Sequence, residues 1–426
     1  MRLLPALVAF AVISMGAVSS TPSKSTSKRK KKPAASRVVA HSKAAVRPRP
    51  VVVSPVLRKE AFERIAARMT PHSGHIENPE ALASFLTRVA TNQPADTPIH
   101  ILQFGDSHTA SDDWVDAMRR VMQARFGNGG AGFGMAGRPF KGYRRFDLRG
   151  NNSPGWETEG TVSHPGDGLA GLSGISLTSH AAGETIWADT AADDVELYYL
   201  NQPGGGSFSV ELDGAPVETV KTDGQLSSGV YRFSASASEH VFAIRTLSSA
   251  PVRMYGWVSQ NRTGVTWETL GINGAQAAMM LHWDETLWGQ QIAQRNPSLV
   301  VLAYGTNEAN SRTFDPSVFR SALAEIFARL RRAVPDASIL LVGPPDCGRS
   351  VPLLHLNEVI EVERVAAAEN HIAFWDWRQR MGGARSVVWW GRTGLGQPDS
   401  IHLTGAGYRM TGQALAGDIT GEIANK

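Results

Sequence analysis

Short apolar runs alternating with stretches of helical period fill both ends of this chain and vanish from its middle, and that interruption constrains the fold more than any single motif. Residues 99–104 form an apolar run closed by Gly105, and a helical period resumes over 113–126. The same order returns with 299–304 and a helix over 316–333, then 338–342 and 355–370, then 372–375 and a closing helix from about 404. Amphipathic patterns at 59–69 and 79–91 precede them all. Strands that alternate with helices predict an α/β domain with a parallel sheet covered on both faces.

Between 150 and 260 the period changes to short alternating runs separated by Gly, Asp and Ser, with Asp213-Gly214 as a hairpin signal. The expectation is an all-β sandwich over 150–260, inserted into an α/β domain made of 58–149 and 261–426. At 426 residues the chain has ample material for both. Cys347 is its only cysteine, so an intrachain disulfide and cysteine-rich metal sites are excluded.

Charge is distributed unevenly. Residues 21–60 hold 12 Lys or Arg and one acid, which accounts for +11; with Arg2 also set aside, the whole-chain charge of +4 leaves residues 61 onward at −8. An acidic body argues against a nucleic-acid partner. Met1 and Arg2 precede an apolar run ending in small residues, which predicts a signal peptide over 1–19 and export across the inner membrane to the periplasm or envelope. Residues 20–57, with five basic residues at 28–32, predict a disordered basic linker with a capacity for electrostatic contact with anionic envelope polymers.

Ligands of open α/β sheets bind beyond the carboxyl ends of the strands, where Gly105-Asp106-Ser107-His108 lies. A serine hydroxyl there needs a base to take its proton and a carboxylate to orient that base. Asp399 and His402, three residues apart near the C-terminus, supply both. Donors for an oxyanion are expected from the Ser107 amide, from the glycine turn at Gly274 and from the Asn307 side chain, each following an apolar run.

These four blocks, in this order, resemble the SGNH or GDSL serine esterases. The resemblance implies a flavodoxin-like SGNH-hydrolase sheet, a catalytic triad of Ser107, Asp399 and His402, and an oxyanion hole of Ser107, Gly274 and Asn307, with no metal and no cofactor. Residues 101–110, 271–276, 304–309 and the turn Met381-Gly382-Gly383 are similar to the peptidoglycan O-acetylesterases of bacterial envelopes. That narrower likeness implies a jelly-roll insertion similar to a family 35 carbohydrate-binding module, and an acetylated glycan, peptidoglycan, as substrate. His108 and Glu308 depart from the wider family's leucine and aspartate but match the narrower one, and the disulfide of some relatives is missing. A polysaccharide O-acetyltransferase and an inactive glycan-binding protein are the alternative readings.

Other features are given plainer roles. Gly132 to Gly137 fits G-x-G-x-x-G but is expected to be a flexible loop, because no strand precedes it. His72, His75 and Glu77 have metal-ligand spacing and are expected to be solvated. His108 is expected to pack or hydrogen-bond beside the serine, Asp106 to stabilise the turn, and Trp389-Trp390 either to stack on sugar rings or to fill the core.

Overall fold

The computed structural model describes residues 53–91, 97–234, 239–348 and 354–425. The expected signal peptide and all but the last five residues of the expected linker lie outside the described residues. Those last residues correct the linker's boundary: Ser54 caps a helix over Pro55–Arg68, its hydroxyl accepting from the Leu57 amide and Pro55 taking the first helical position. Among the described residues no helix is long and apolar enough to cross a membrane.

Five parallel strands form the sheet that carries the site. Their spatial order is Val265–Gly271, Ile99–Gly105, Leu299–Ala303, Ser338–Val342 and Ala373–Trp375, with Ile76–Glu77 added antiparallel at the far edge. Numbered along the chain the parallel order is 2-1-3-4-5, the doubly wound order of flavodoxin-like folds. The order reverses between Ile99–Gly105 and Leu299–Ala303, so a crevice opens at their carboxyl ends.

Side chains of these strands alternate between two cores. Leu102, Phe104, Val300, Leu302, Ile339 and Leu341 face a cluster that includes Leu287 and Ile292 of the helix Glu285–Arg295 and Phe319, Leu323 and Ile326 of Pro316–Ala333. Ile99, Ile101, Val301, Leu340 and Val342 face the other, with Trp114, Met118 and Met122 of Asp113–Phe126 and Leu415 and Ile419 of Gly405–Gly421. Both faces are therefore covered, which is why these strands read as continuous apolar runs.

The middle of the chain builds two antiparallel sheets. One has the order Ala215–Lys221, Ser207–Leu212, Glu239–Thr246, Thr185–Ala191, Arg149–Asn152; the other Ser227–Ser234, Asp194–Asn201, Val252–Gln260, Ser176–Ser179, Glu157–Glu159. Asp213 and Gly214 both have positive φ and close the hairpin between two of these strands, as the type I′ turn requires. Inward residues such as Ile186, Val210 and Ile244 from one sheet and Leu177, Leu197 and Val252 from the other belong to the same cluster as Leu102 and Phe104.

The glycine-rich stretch is a correction. It forms a buried strand, Gly130–Met135, paired antiparallel with Val252–Gln260, and so the β-sheet of the insertion reaches back across the expected boundary at 149. Glycine is needed at position 132 because a Cβ there would overlap Glu268 Oε1 and lie 2.6 Å from its Cγ, and because the backbone is left-handed. Glu268 is fully buried and takes both oxygens to Arg295 Nε, at 2.9 and 3.1 Å, while Arg295 Nη1 donates to Gln260 Oε1 at 2.6 Å. One buried ion pair thus ties the second parallel strand, a covering helix and the end of the insertion. Arg295→Ala leaves Glu268 without its cation and is expected to lower unfolding free energy by about 3–5 kcal/mol, measured as a shift of the urea midpoint.

Candidate active site

The strand Ile99–Gly105 ends in a turn that places Asp106 at the cap of a four-residue helix, Ser107–Ala110. Asp106 Oδ1 accepts from the His108 amide at 2.9 Å, the turn-stabilising role expected of it. This helix lies directly across two strand ends. A Cβ at Gly105 would overlap Thr109 Oγ1 and sit 2.6 Å from Ala303 O, and one at Gly271 would overlap the Ala110 nitrogen and sit 2.8 Å from Asp106 O. Ser107 is thereby presented at the reversal of the sheet order.

His402 reaches it from the C-terminal segment. His402 Nε2 lies 2.9 Å from Ser107 Oγ, and His402 Nδ1 lies 2.8 Å from Asp399 Oδ2. The carboxylate takes the Nδ1 hydrogen, so Nε2 presents its lone pair to the hydroxyl. Asp399 Oδ1 also accepts from the amides of Ile401 and His402 at 2.9 and 3.0 Å. Burial opposes its charge, but these hydrogen bonds and the nearby imidazole hold its carboxyl below the usual carboxylate range. Ser400, between the two, has φ 58°, a left-handed conformation held by Gly348 N donating to Ser400 O at 2.8 Å. The pair sits just before the helix Gly405–Gly421, whose cap Thr404 donates its amide to Leu395 O at 2.8 Å.

Gly274 stands on the loop after one neighbouring strand, and Asn307 on the four-residue helix Thr306–Ala309 that follows the other. Ile272 N donates to Gly105 O at 2.9 Å, extending the pairing just past the strand end, and Gly274 is exposed with φ 78°. Asn307 Nδ2 donates to Ala275 O at 2.9 Å and reaches Asp106 Oδ2 at 3.4 Å. The first bond fixes the amide, and the second, being long, is the weaker of the two.

Glu308 joins these loops in a way the sequence did not disclose. Its Oε1 accepts from the Ala277 amide at 2.6 Å and its Oε2 from the Gly305 amide at 3.0 Å. Burial raises its carboxyl to about 7 and that of Asp106 to about 6. Glu363, beneath Gly305 and Gly343, is pushed well above the ordinary range by burial and by Glu308, and among the described residues neither oxygen has a hydrogen-bond partner. His108 is buried with Nδ1 2.7 Å from Tyr408 Oη and its ring 5.1 Å from that of His402. Burial and the neighbouring imidazole lower its pKa to about 3, which keeps it neutral. Tyr408 carries no local signal of this contact, since 300 residues separate the two.

The remaining candidates divide. His72 and His75 lie with ring centroids 3.9 Å apart, tilted by 41°, and share a surface cavity with Glu77, but among the described residues no group of three metal-ligating side chains converges. Trp390 fills the core and Trp389 is exposed.

Because Glu308 takes up its proton more readily folded than unfolded, its carboxyl favours the fold below about pH 4.5, and this advantage is lost as pH rises toward about 7. Compared with Glu308→Gln, the native chain is expected to lose relative stability across that window and to stay level above it. Urea unfolding of both at pH 5, 6, 7 and 8 checks this, and a constant difference contradicts it.

Residues 246–410 match the GDSL-like Lipase/Acylhydrolase family. A solved peptidoglycan O-acetylesterase is 25% identical, with a TM-score of 0.71 over 83% of this chain and 100% of its own. Family two carbohydrate esterases from Clostridium thermocellum and Cellvibrio japonicus are 13% and 12% identical, with TM-scores of 0.29 and 0.28 over 58% and 65% of this chain and 95% and 97% of theirs. No curated protein matches the sequence. The chain is thus similar over residues 246–410 to GDSL-like acylhydrolases and along most of its length to a solved peptidoglycan O-acetylesterase, and both likenesses support a carboxylic ester hydrolase.

Proposed function

We propose that the chain removes O-acetyl groups from an envelope glycan, peptidoglycan, through an acetyl-enzyme on Ser107. The observation that carries this reading is the unbroken line from Asp399 through His402 to Ser107, with 2.8 and 2.9 Å steps. Ser107 Oγ attacks the acetyl carbonyl while His402 Nε2 takes its proton. The oxyanion is held by the amides of Ser107 and Gly274 and by Asn307 Nδ2. His402 then gives the proton to the departing sugar oxygen, the acetyl stays on Ser107, and a water activated by the same imidazole releases acetate. Asp399 keeps the tautomer and balances the imidazolium.

A polymeric substrate is supported by a groove of about 1040 Å³ beside the Gly274 loop. Ile272 and Asn273 form one wall, and Thr158, Val162 and His164 of the insertion form the other. We read the insertion, 150–260, as a jelly roll: its last eight strands, numbered along the chain, stand in the orders 1-8-3-6 and 2-7-4-5, which two interleaved Greek keys generate. The two hydrolase segments would then be 58–149 and 261–426. The same reading puts the enzyme outside the inner membrane, with 1–19 as its export signal and the basic 20–57 touching anionic envelope polymer.

Ser107→Ala is expected to cut kcat by about 10⁶-fold, Asp399→Asn by about 10⁴-fold and Asn307→Ala by about 10²–10³-fold. The measurement is acetate release from O-acetylated peptidoglycan, acetylated xylan and a small chromogenic acetate. A Ser107→Ala chain with native activity overturns the assignment. Preference for xylan overturns the polymer, and dominant acetyl transfer to an added glycan in place of water overturns hydrolysis.

A further inference from the structure

A second cavity, separate from the groove beside Gly274, lies between the helix Pro55–Arg68 and the segment that ends in Trp390. It measures about 380 Å³, with Ala61, Ile65, Met381 and Trp390 as apolar lining and Arg64, Arg68, Arg385 and Trp389 around it. We propose that this cavity binds a pyranose that carries a carboxylate.

Charge is the first argument. From residue 61 onward the chain carries −8, yet three guanidinium groups gather here. Elsewhere arginines such as Arg253, Arg364 and Arg378 lie against carboxylates, at 2.5 to 3.3 Å. Among the described residues, Arg68 and Arg385 have no carboxylate within ion-pair distance, and Arg64 has only the exposed Glu60 at 3.7 Å, one turn away on its own helix. Guanidinium forks match a carboxylate with two parallel hydrogen bonds, so an anion is the complementary ligand.

Backbone geometry is the second. Arg385 has φ 67°, a left-handed conformation that a residue with a long side chain rarely adopts. It opens the helix Ser386–Arg392 directly after Gly382 and Gly383, which are also left-handed. A Cβ on Gly382 would lie 3.7 Å from Arg68 Nε, which places that side chain beside the turn on the cavity wall.

The indole is the third. Trp389 is 40% exposed on the cavity's edge, and the Arg392 guanidinium lies 4.9 Å from its ring centroid. A half-exposed indole beside an apolar floor takes the C–H face of a sugar ring, while a free phosphate or a simple dicarboxylate would leave it unused. Ring and charge together therefore select an anionic saccharide. This rests on the glycan reading above, in which a muramoyl residue whose lactyl carboxylate is free of a stem peptide brings both features, and it adds a recognition site apart from the chemistry.

The experiment titrates the full chain with N-acetylmuramic acid and with N-acetylglucosamine, which lacks the lactyl carboxylate, followed by calorimetry and tryptophan fluorescence at low and high salt. N-acetylmuramic acid is expected to bind at least tenfold more tightly and to weaken with salt. Arg68→Gln with Arg385→Gln should bring it down to the N-acetylglucosamine level, and Trp389→Ala should weaken both sugars; unchanged unfolding midpoints show that the variants fold. Equal binding of the two sugars, saturation by neither, or native affinity in the double variant overturns the proposal. Tighter binding of N-acetylglucosamine 6-phosphate than of N-acetylmuramic acid overturns the carboxylate assignment in favour of a phosphate. Acetate release from a small chromogenic ester by the native chain tests the esterase reading separately, so the failure of one is distinguishable from the failure of the other.

Discussion

The contact on which this site depends is the seating of the helix Ser107–Ala110 on two strand ends that carry no side chain. Gly105 and Gly271 are partners in the parallel ladder, and the helix packs where their Cβ atoms would be. A larger residue at either place would lift the serine from the sheet and away from His402, whose own position is set independently by Asp399 and by the strained Ser400. The 2.9 Å separation of Oγ and Nε2 is therefore the meeting of two separately anchored segments. The strand order supplies the rest, because only the reversal between the first and third parallel strands places the Asn307 loop beside the serine turn.

Three carboxyl groups under such a site raise an electrostatic difficulty. Asp106, Glu308 and Glu363 are almost fully buried; Asp106 raises the proton affinity of Glu308, and both raise that of Glu363. Were all ionised, they would oppose the negative charge that an acyl-transfer site must stabilise. Burial resolves this by favouring their neutral forms, with Asp106 moved to about 6, Glu308 to about 7 and Glu363 higher still. Neutral His108 fits the same scheme from the other side. It packs against His402 without adding a positive charge that would discourage the imidazole from accepting the serine proton.

What could be read from the sequence follows what is local. Helix and strand positions in the α/β part were legible because both sheet faces are covered and the helices are amphipathic; 338–342 and 113–126 lie where periodicity puts them. Ser107, Asp399 and His402 were legible because their blocks sit at strand ends and helix starts. The strand Gly130–Met135 was not, since its glycines signal a loop, and what requires them, Gln260 against Gly130, Glu268 against Gly132 and Leu148 against Gly134, is brought in by the fold. Glu308 bridging two amides and Tyr408 meeting His108 were likewise invisible, because neither contact has a sequence pattern of its own.

The inserted strands are not hung on a linker. Gly130–Met135 at the entrance pairs with Val252–Gln260 at the exit, and Asn128 bridges to Val265, the first residue of the next parallel strand. Entry and exit are thus zipped into one ladder that continues toward the active sheet, and Leu197 and Phe208 of the insertion share a core with Leu102 and Phe104. A module held this way cannot swing as a tethered domain does, because motion would break a β-ladder and open a common core. Val162, on a loop of the insertion, consequently keeps its place 3.7 Å from where a Cβ of Gly274 would be. The wall of the groove and the Gly274 loop are therefore set against each other by the fold itself, on a surface as firmly held as the line from Asp399 through His402 to Ser107.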